Sequence, residues 1–171
     1  LAPTSSSTAE LAIGDALAIA LLEARGFTER DFACFHPGGA LGRKLLVRCK
    51  DLMHSGDELP VCHEQVTIKD ALLEMSAKGL GIIAIVDEAG KFLGVYTDGD
   101  LRRSFEKEIS VHEPLATVMR HGGVHVSPEC LAADALAIMQ EKKISAMIVT
   151  DQDQQVVGAF NMHDLLRAGL V

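Results

Sequence analysis

The sequence predicts an α+β fold in which one structural unit is written twice, and three observations carry that expectation. First, the stretch Gly94-Val95-Tyr96-Thr97-Asp98-Gly99-Asp100-Leu101-Arg102-Arg103 passes from a short apolar run through Thr-x-x-Asp into a charged helix. Second, Gly158-Ala159-Phe160-Asn161-Met162-His163-Asp164-Leu165-Leu166-Arg167 repeats it, with Gly, a small apolar residue, an aromatic, Asp, Leu and Arg in the same places. In-register self-similarity marks a duplicated architecture more strongly than any local propensity. Third, the residues ahead of both stretches alternate in the same order between strand-like runs and helical spacing, giving β-α-β-β-α in about sixty residues. A unit of that size buries too little apolar area alone. Two copies packed sheet to sheet, at residues 47–108 and 109–171, are therefore expected, with residues 1–46 as a separate preceding part.

Composition sets the outer limits. The chain has 171 residues, 48% hydrophobic and 23% charged, which is globular composition. A net charge of -8 leaves no basic footprint, so neither nucleic acid nor an anionic membrane surface is an expected partner. Cys34, Cys49, Cys62 and Cys130 form no C-x-x-C pair and read as reduced structural thiols, with no metal site expected. No apolar run is expected to reach the roughly 20 residues that span a bilayer. The N-terminus lacks the basic-then-apolar order of a signal peptide, so the cytoplasm is the expected location.

In chain order, Thr4-Ser5-Ser6-Ser7-Thr8 is a cluster of capping residues ahead of an Ala- and Leu-rich helix ended by Arg25-Gly26. That helix is apolar on most sides and wants partners that the next forty residues do not supply, which points to a piece of a longer protein. Thr28 with Asp31 makes a capping box for a second short helix. Then Phe35-His36-Pro37-Gly38-Gly39 forbids regular helix and forces a tight turn, with His36 at its rim.

The repeat begins at Asp51-Leu52-Met53, matched by Thr117-Val118-Met119. A turn-rich gap leads to a short strand at 59–62 or 124–127. Each copy then has a helix: Thr67 caps one with Asp70 three residues on, and Ile68, Ala71, Leu72 and Met75 recur at helical spacing; Ala132, Ala135, Leu136 and Met139 do so in the second. Two strands and a turn follow, 82–86 with 92–96 and 147–149 with 156–160, and a helix closes each copy. His54, His63, His112, His121 and His125 fall near turns or strand ends without an i, i+4 partner or carboxylate cluster, and read as surface or satisfied groups.

The duplicated unit ending in Gly-Val-Tyr-Thr-Asp-Gly-Asp-Leu resembles the cystathionine β-synthase (CBS) domain, over residues 47–171. The resemblance implies a tandem pair with a pseudo-twofold axis and two clefts, each served by a Ser/Thr-x-x-Asp whose Asp bonds a nucleotide's ribose while the helix end behind it favours phosphate. Those positions are Thr97 and Asp100, then Asn161 and Asp164, with Arg102 and His163 beside them as candidate ligand contacts. The same spacing is that of a capping box, in which both side chains only satisfy the first helical amides. The second copy departs from the pattern at Asn161.

Residues 1–46 resemble the tail of the sugar isomerase (SIS) domain, an α/β domain, of D-arabinose 5-phosphate isomerases, through Leu-Ala-Pro-Thr-Ser-Ser-Ser-Thr, Gly14-Asp15-Ala16-Leu17-Ala18 and His36-Pro37-Gly38-Gly39-Ala40-Leu41-Gly42-Arg43. The resemblance implies interconversion of D-ribulose 5-phosphate and D-arabinose 5-phosphate, the entry to the Kdo sugar of Gram-negative lipopolysaccharide, with His36 catalytic in a site shared across a tetramer and no required cofactor. It implies that the CBS pair is regulatory, with an adenine nucleotide, AMP or ATP, as the default effector of the class; the logic of the pathway adds a second expectation, feedback by the end product CMP-Kdo, which joins a ribonucleotide to an acidic sugar. This stretch alone is expected to be inactive. An independent nucleotide-sensing module and a ligand-free dimerisation pair are the competing readings.

Overall fold

The computed structural model describes residues 3–35 and 39–170. The chain divides into two compact units, residues 1–46 and 47–171.

The first unit holds α1 (Thr4–Ala24), α2 (Glu29–Phe35) and α3 (Ala40–Leu46). The Ser/Thr cluster lies inside α1 rather than ahead of it: Pro3 stands at the N-cap with no side-chain cap bond. The hydroxyls instead turn back on the helix, Ser7 Oγ donating to the Pro3 carbonyl and Thr8 Oγ1 to the Thr4 carbonyl, each at 2.8 Å. Gly26, at φ 61°, takes the left-handed position that ends it. The Thr28–Asp31 box is present, with Thr28 N–H on Asp31 Oδ2 at 2.8 Å. One expectation is corrected: the 21 residues of α1 are long and apolar enough, by length and composition alone, to cross a membrane. Its apolar character is spread over Ala and Ile as well as Leu, and after the opening Ser/Thr run Glu10, Asp15 and Glu23 are its only charged residues. α1 buries none of its residues.

The second unit carries the repeat. Its first copy comprises β1 (Val61–His63), α4 (Ile68–Lys78), β2 (Ile82–Val86), β3 (Phe92–Thr97) and α5 (Asp98–Glu106). A two-residue β4 (Arg120–His121) follows, then the second copy: β5 (His125–Val126), α6 (Ala132–Lys142), β6 (Ala146–Thr150), β7 (Val156–Asn161) and α7 (Met162–Arg167). The sheets run β1-β2-β3-β4 and β5-β6-β7. In each, the first pair is parallel and the central hairpin antiparallel.

β2 and β6 are buried along their whole length, which explains their unbroken apolar runs. Alternation then sorts their side chains. Ile83 and Ile85 face a core with Ile68, Met75 and Tyr96, whereas Ile82 and Ala84 pack with Val95, Ala146, Ile148 and Ala159 of both copies. The sheet-to-sheet packing expected of two incomplete units is realised in that shared layer.

The stretch leading into each copy belongs structurally to a neighbouring sheet. Val47 to His54 runs along the second copy, with Cys49 N–H on the Cys130 carbonyl at 2.9 Å and His54 exchanging backbone hydrogen bonds with Ala159 at 2.8 and 3.1 Å. Cys49, Leu52 and Met53 join the second copy's core. The corresponding later stretch forms β4 on β3, pairing Gly94 with His121 and Val95 with Arg120. These crossings account for the two repeated glycines. A methyl group on Gly94 would collide with the Arg120 carbonyl, and one on Gly158 with the Met53 side chain.

Candidate functional site

Each Thr/Asn-x-x-Asp is a reciprocal cap at a strand-to-helix turn. Thr97 ends β3 and caps α5. Its hydroxyl accepts the Asp100 N–H at 3.3 Å and donates to Asp100 Oδ2 at 2.6 Å, while the same oxygen accepts the Thr97 N–H at 3.1 Å. Asp100 Oδ1 accepts from Arg103 Nη2 at 2.5 Å and Arg120 Nε at 2.8 Å. Asp100 is only 5% exposed, so both oxygens are occupied within the protein. Burial alone would raise this carboxyl; the hydrogen bonds from Thr97, Arg103 and Arg120 outweigh it and hold Asp100 below the usual carboxylate range.

At the second turn the Asn161 amide oxygen does the work of the hydroxyl, accepting from His163 N–H at 2.9 Å and Asp164 N–H at 3.3 Å. Asp164 Oδ2 accepts the Asn161 N–H at 2.8 Å. Its Oδ1 meets Arg167 Nη2 at 3.2 Å and His54 Nε2 at 3.1 Å. Each motif aspartate is thus held by an arginine one turn along its own helix and by a basic residue next to a methionine in a crossing stretch: Met119-Arg120 at the first, Met53-His54 at the second.

A cavity of about 480 Å³ opens between the two copies at the start of α5. Thr97, Asp98, Gly99, Arg102 and Arg120 line it from one side, Lys143, Ser145 and Ala146 from the second copy. Three cations face it against one carboxylate, and the N-terminus of α5 adds its positive end. Neither Arg102 nor Lys143 has an ion-pair partner among the described residues. Lys143 stands at φ 54°, in the left-handed region, where the matching residue of the first copy is Gly79 at φ 67°.

The candidate residues therefore separate. Thr97 and Arg102 line the cavity; Asp100 instead faces a smaller one of about 250 Å³ with Arg103 and Lys107. The second copy has its own version of the smaller cavity, about 400 Å³, lined by Asp51, His54, Glu58, Asp164 and Arg167. His163 is exposed and is not part of that lining. His36 lies outside the described residues. Among those described, no three or more His, Cys, Asp or Glu side chains gather to hold a metal ion.

Sequence reasoning missed Lys143, Arg120 and His54. Aligning the copies one residue past Met53 and Met119 pairs His54 with Arg120, and aligning the helix ends pairs Lys143 with Gly79, so a signal for each was present. The expectation that His54 lacks an i, i+4 partner is corrected: Glu58 Oε2 lies 3.0 Å from its Nδ1. The loop between them hid the approach, because i, i+4 proximity here comes from a 3₁₀ turn at Gly56–Glu58 rather than from a helix.

Residues 49–107 and 115–171 match the CBS domain. Arabinose 5-phosphate isomerase KdsD of Salmonella typhi is 55% identical over the whole chain and that of Pseudomonas aeruginosa also 55%. The Escherichia coli K12 protein of the same name is 53% identical. The chain spans about half the length of these relatives, 52% of the Salmonella protein. Among solved structures, CBSX2 in complex with AMP superimposes with a TM-score of 0.63 at 23% identity, over 72% of this chain and 96% of that one. The CBS domain pair of protein MJ0100 with 5′-methylthioadenosine and S-adenosyl-L-methionine does so with a TM-score of 0.64 at 21% identity, over 71% and 94%.

Proposed function

The chain belongs to the CBS domain family, and on that footing we propose that it is the C-terminal regulatory portion of an arabinose 5-phosphate isomerase, with the cavity at the start of α5 as its effector site. The observation that carries the effector half is the three-cation lining of that cavity, set across both copies. Arg102, Arg120 and Lys143 suit a phosphate or carboxylate, and the backbone amides at the start of α5 reinforce them. Thr97 borders the same space, whereas Asp100 works from behind by fixing Arg120 through its Nε. Volume and charge suit a nucleotide-type ligand: AMP, ATP or the nucleotide-linked acidic sugar CMP-Kdo. Solved pairs of this fold hold AMP and S-adenosyl-L-methionine, which supports the ligand class.

The enzymatic half rests on the isomerase relatives, 52–55% identical along the entire chain. In this reading residues 1–46 complete a SIS domain, His36 moves a proton between the substrate's adjacent carbons, and the enzyme works as a cytoplasmic tetramer feeding Kdo synthesis. An imidazole is suited to such transfer near neutral pH.

The test is the full-length protein, assayed for interconversion of D-ribulose 5-phosphate and D-arabinose 5-phosphate with AMP, ATP and CMP-Kdo added in turn, with calorimetry alongside. Isomerase activity is expected, changed by at least one of the three, and the change is expected to vanish in Arg102→Gln and Lys143→Gln while effector-free activity stays. Absence of isomerase activity overturns the enzymatic half. Activity and heat unaltered by all three overturn the effector half.

A further inference from the structure

The two motif aspartates are fastened by different chemistry. Arg120, which holds Asp100, is charged at every physiological pH. His54 holds the same place against Asp164, with both ring nitrogens facing carboxylates: Nε2 at 3.1 Å from Asp164 Oδ1 and Nδ1 at 3.0 Å from Glu58 Oε2. A carboxylate only accepts, so both contacts are hydrogen bonds only when both nitrogens carry hydrogen, that is, in the imidazolium. A neutral ring keeps one N–H and turns a lone pair toward the other acid. Glu58 is 73% exposed and contributes little, whereas Asp164 is 6% exposed and is the strong arm.

The location gives this proton a consequence. His54 is the last residue of the stretch by which residues 1–46 join the repeats. Upstream, Val47, Cys49 and Lys50 bond the second copy's backbone, and Arg48 and Lys50 pair with Glu129. The charged and titratable groups around His54 are Asp51 and Glu58 on its own stretch and Asp164 and Arg167 on α7. Three acids against one arginine favour the charged ring.

We propose that His54 is a proton-controlled fastener, which as imidazolium pins the connecting stretch to Asp164 and on losing its proton loosens it, while the first motif, held by Arg120, does not respond. The ring's titration agrees in direction: burial opposes its charge, and the hydrogen bonds to Asp164 and Glu58 outweigh that, placing His54 above the ordinary histidine value. A proton bound more tightly in the folded state strengthens the contact below the ordinary value near 6.5, and that gain disappears as pH rises through the folded value.

The experiment is an NMR titration of the histidine rings in this chain, with amide exchange of His54 and Ala159 normalised to intrinsic rates. The His54 midpoint is expected above about 6.5, the ordinary histidine value. Protection of the two amides is expected to fall as pH rises through that midpoint, by up to about 10-fold per unit of elevation, and to stay level in His54→Arg. A midpoint at or below the ordinary value overturns the proposal, as does equal pH dependence of protection in wild type and His54→Arg. Should the arginine variant not fold, the wild-type midpoint and protection profile decide alone.

Discussion

Lys143 occupies a backbone position that suits glycine. At φ 54° its Cβ crowds the following carbonyl, a cost of about 1 kcal/mol for a non-glycine residue, and its counterpart Gly79 avoids it. A side chain kept at such a site invites a functional explanation, and here the side chain borders the three-cation cavity. Lys143→Gly is therefore expected to leave the fold as stable or more so, by up to about 1 kcal/mol in urea unfolding, and to weaken effector binding at least tenfold in calorimetry. Lost stability with undiminished binding would show the lysine to be structural. At Cys49 the residue scale speaks the other way: burial, with Cys130 beside it, pushes the thiol up to about 12, so at neutral pH it packs into the second copy's core as the protonated thiol.

At the scale of the element, the strand-to-helix turn combines cap and ion pair in one carboxylate. Because Asp100 is held below its ordinary range, the folded protein takes up this proton less readily than the unfolded chain. The stabilisation is present above the unfolded value near 4 and is lost as pH falls through the folded value. Asp100→Asn is expected to cost about 1–3 kcal/mol at neutral pH and to converge with wild type in acid; a constant gap between the two unfolding curves would contradict this. Such turns were legible from spacing, since Thr-x-x-Asp announces its own geometry, as did the helices capped by Thr28 and Thr67. β4 was not legible. Two residues give no period, and Arg120 and His121 acquire strand character only because β3 offers an open edge. The Ser/Thr run that opens α1 misled for a related reason: a hydroxyl caps or folds back on its own helix according to where the helix begins, and here the N-cap is Pro3, one residue ahead of the run. Within the site, Thr97 and Arg102 came from local pattern, while Lys143 and Arg120 come together with them only through the pairing of two copies.

Across the whole molecule, duplication has produced two places of unlike charge. Where Arg102, Arg120 and Lys143 border the cavity at the start of α5, the positions matching them in the other copy are Leu166, His54 and Gly79, and the turn that carries Gly123 and Val124 in one copy carries Asp57 and Glu58 in the other. An anionic effector is therefore expected to bind once per chain, and calorimetric stoichiometry near two would contradict that. The crossing stretches also determine how the molecule carries load. A chain entering at Val47 is bonded first to Pro128, Cys130 and Ala132, and finally to Asp164, 110 residues from His54 in sequence. Tension arriving from the N-terminal side is therefore delivered to the second copy before it reaches the first, the reverse of their order along the chain.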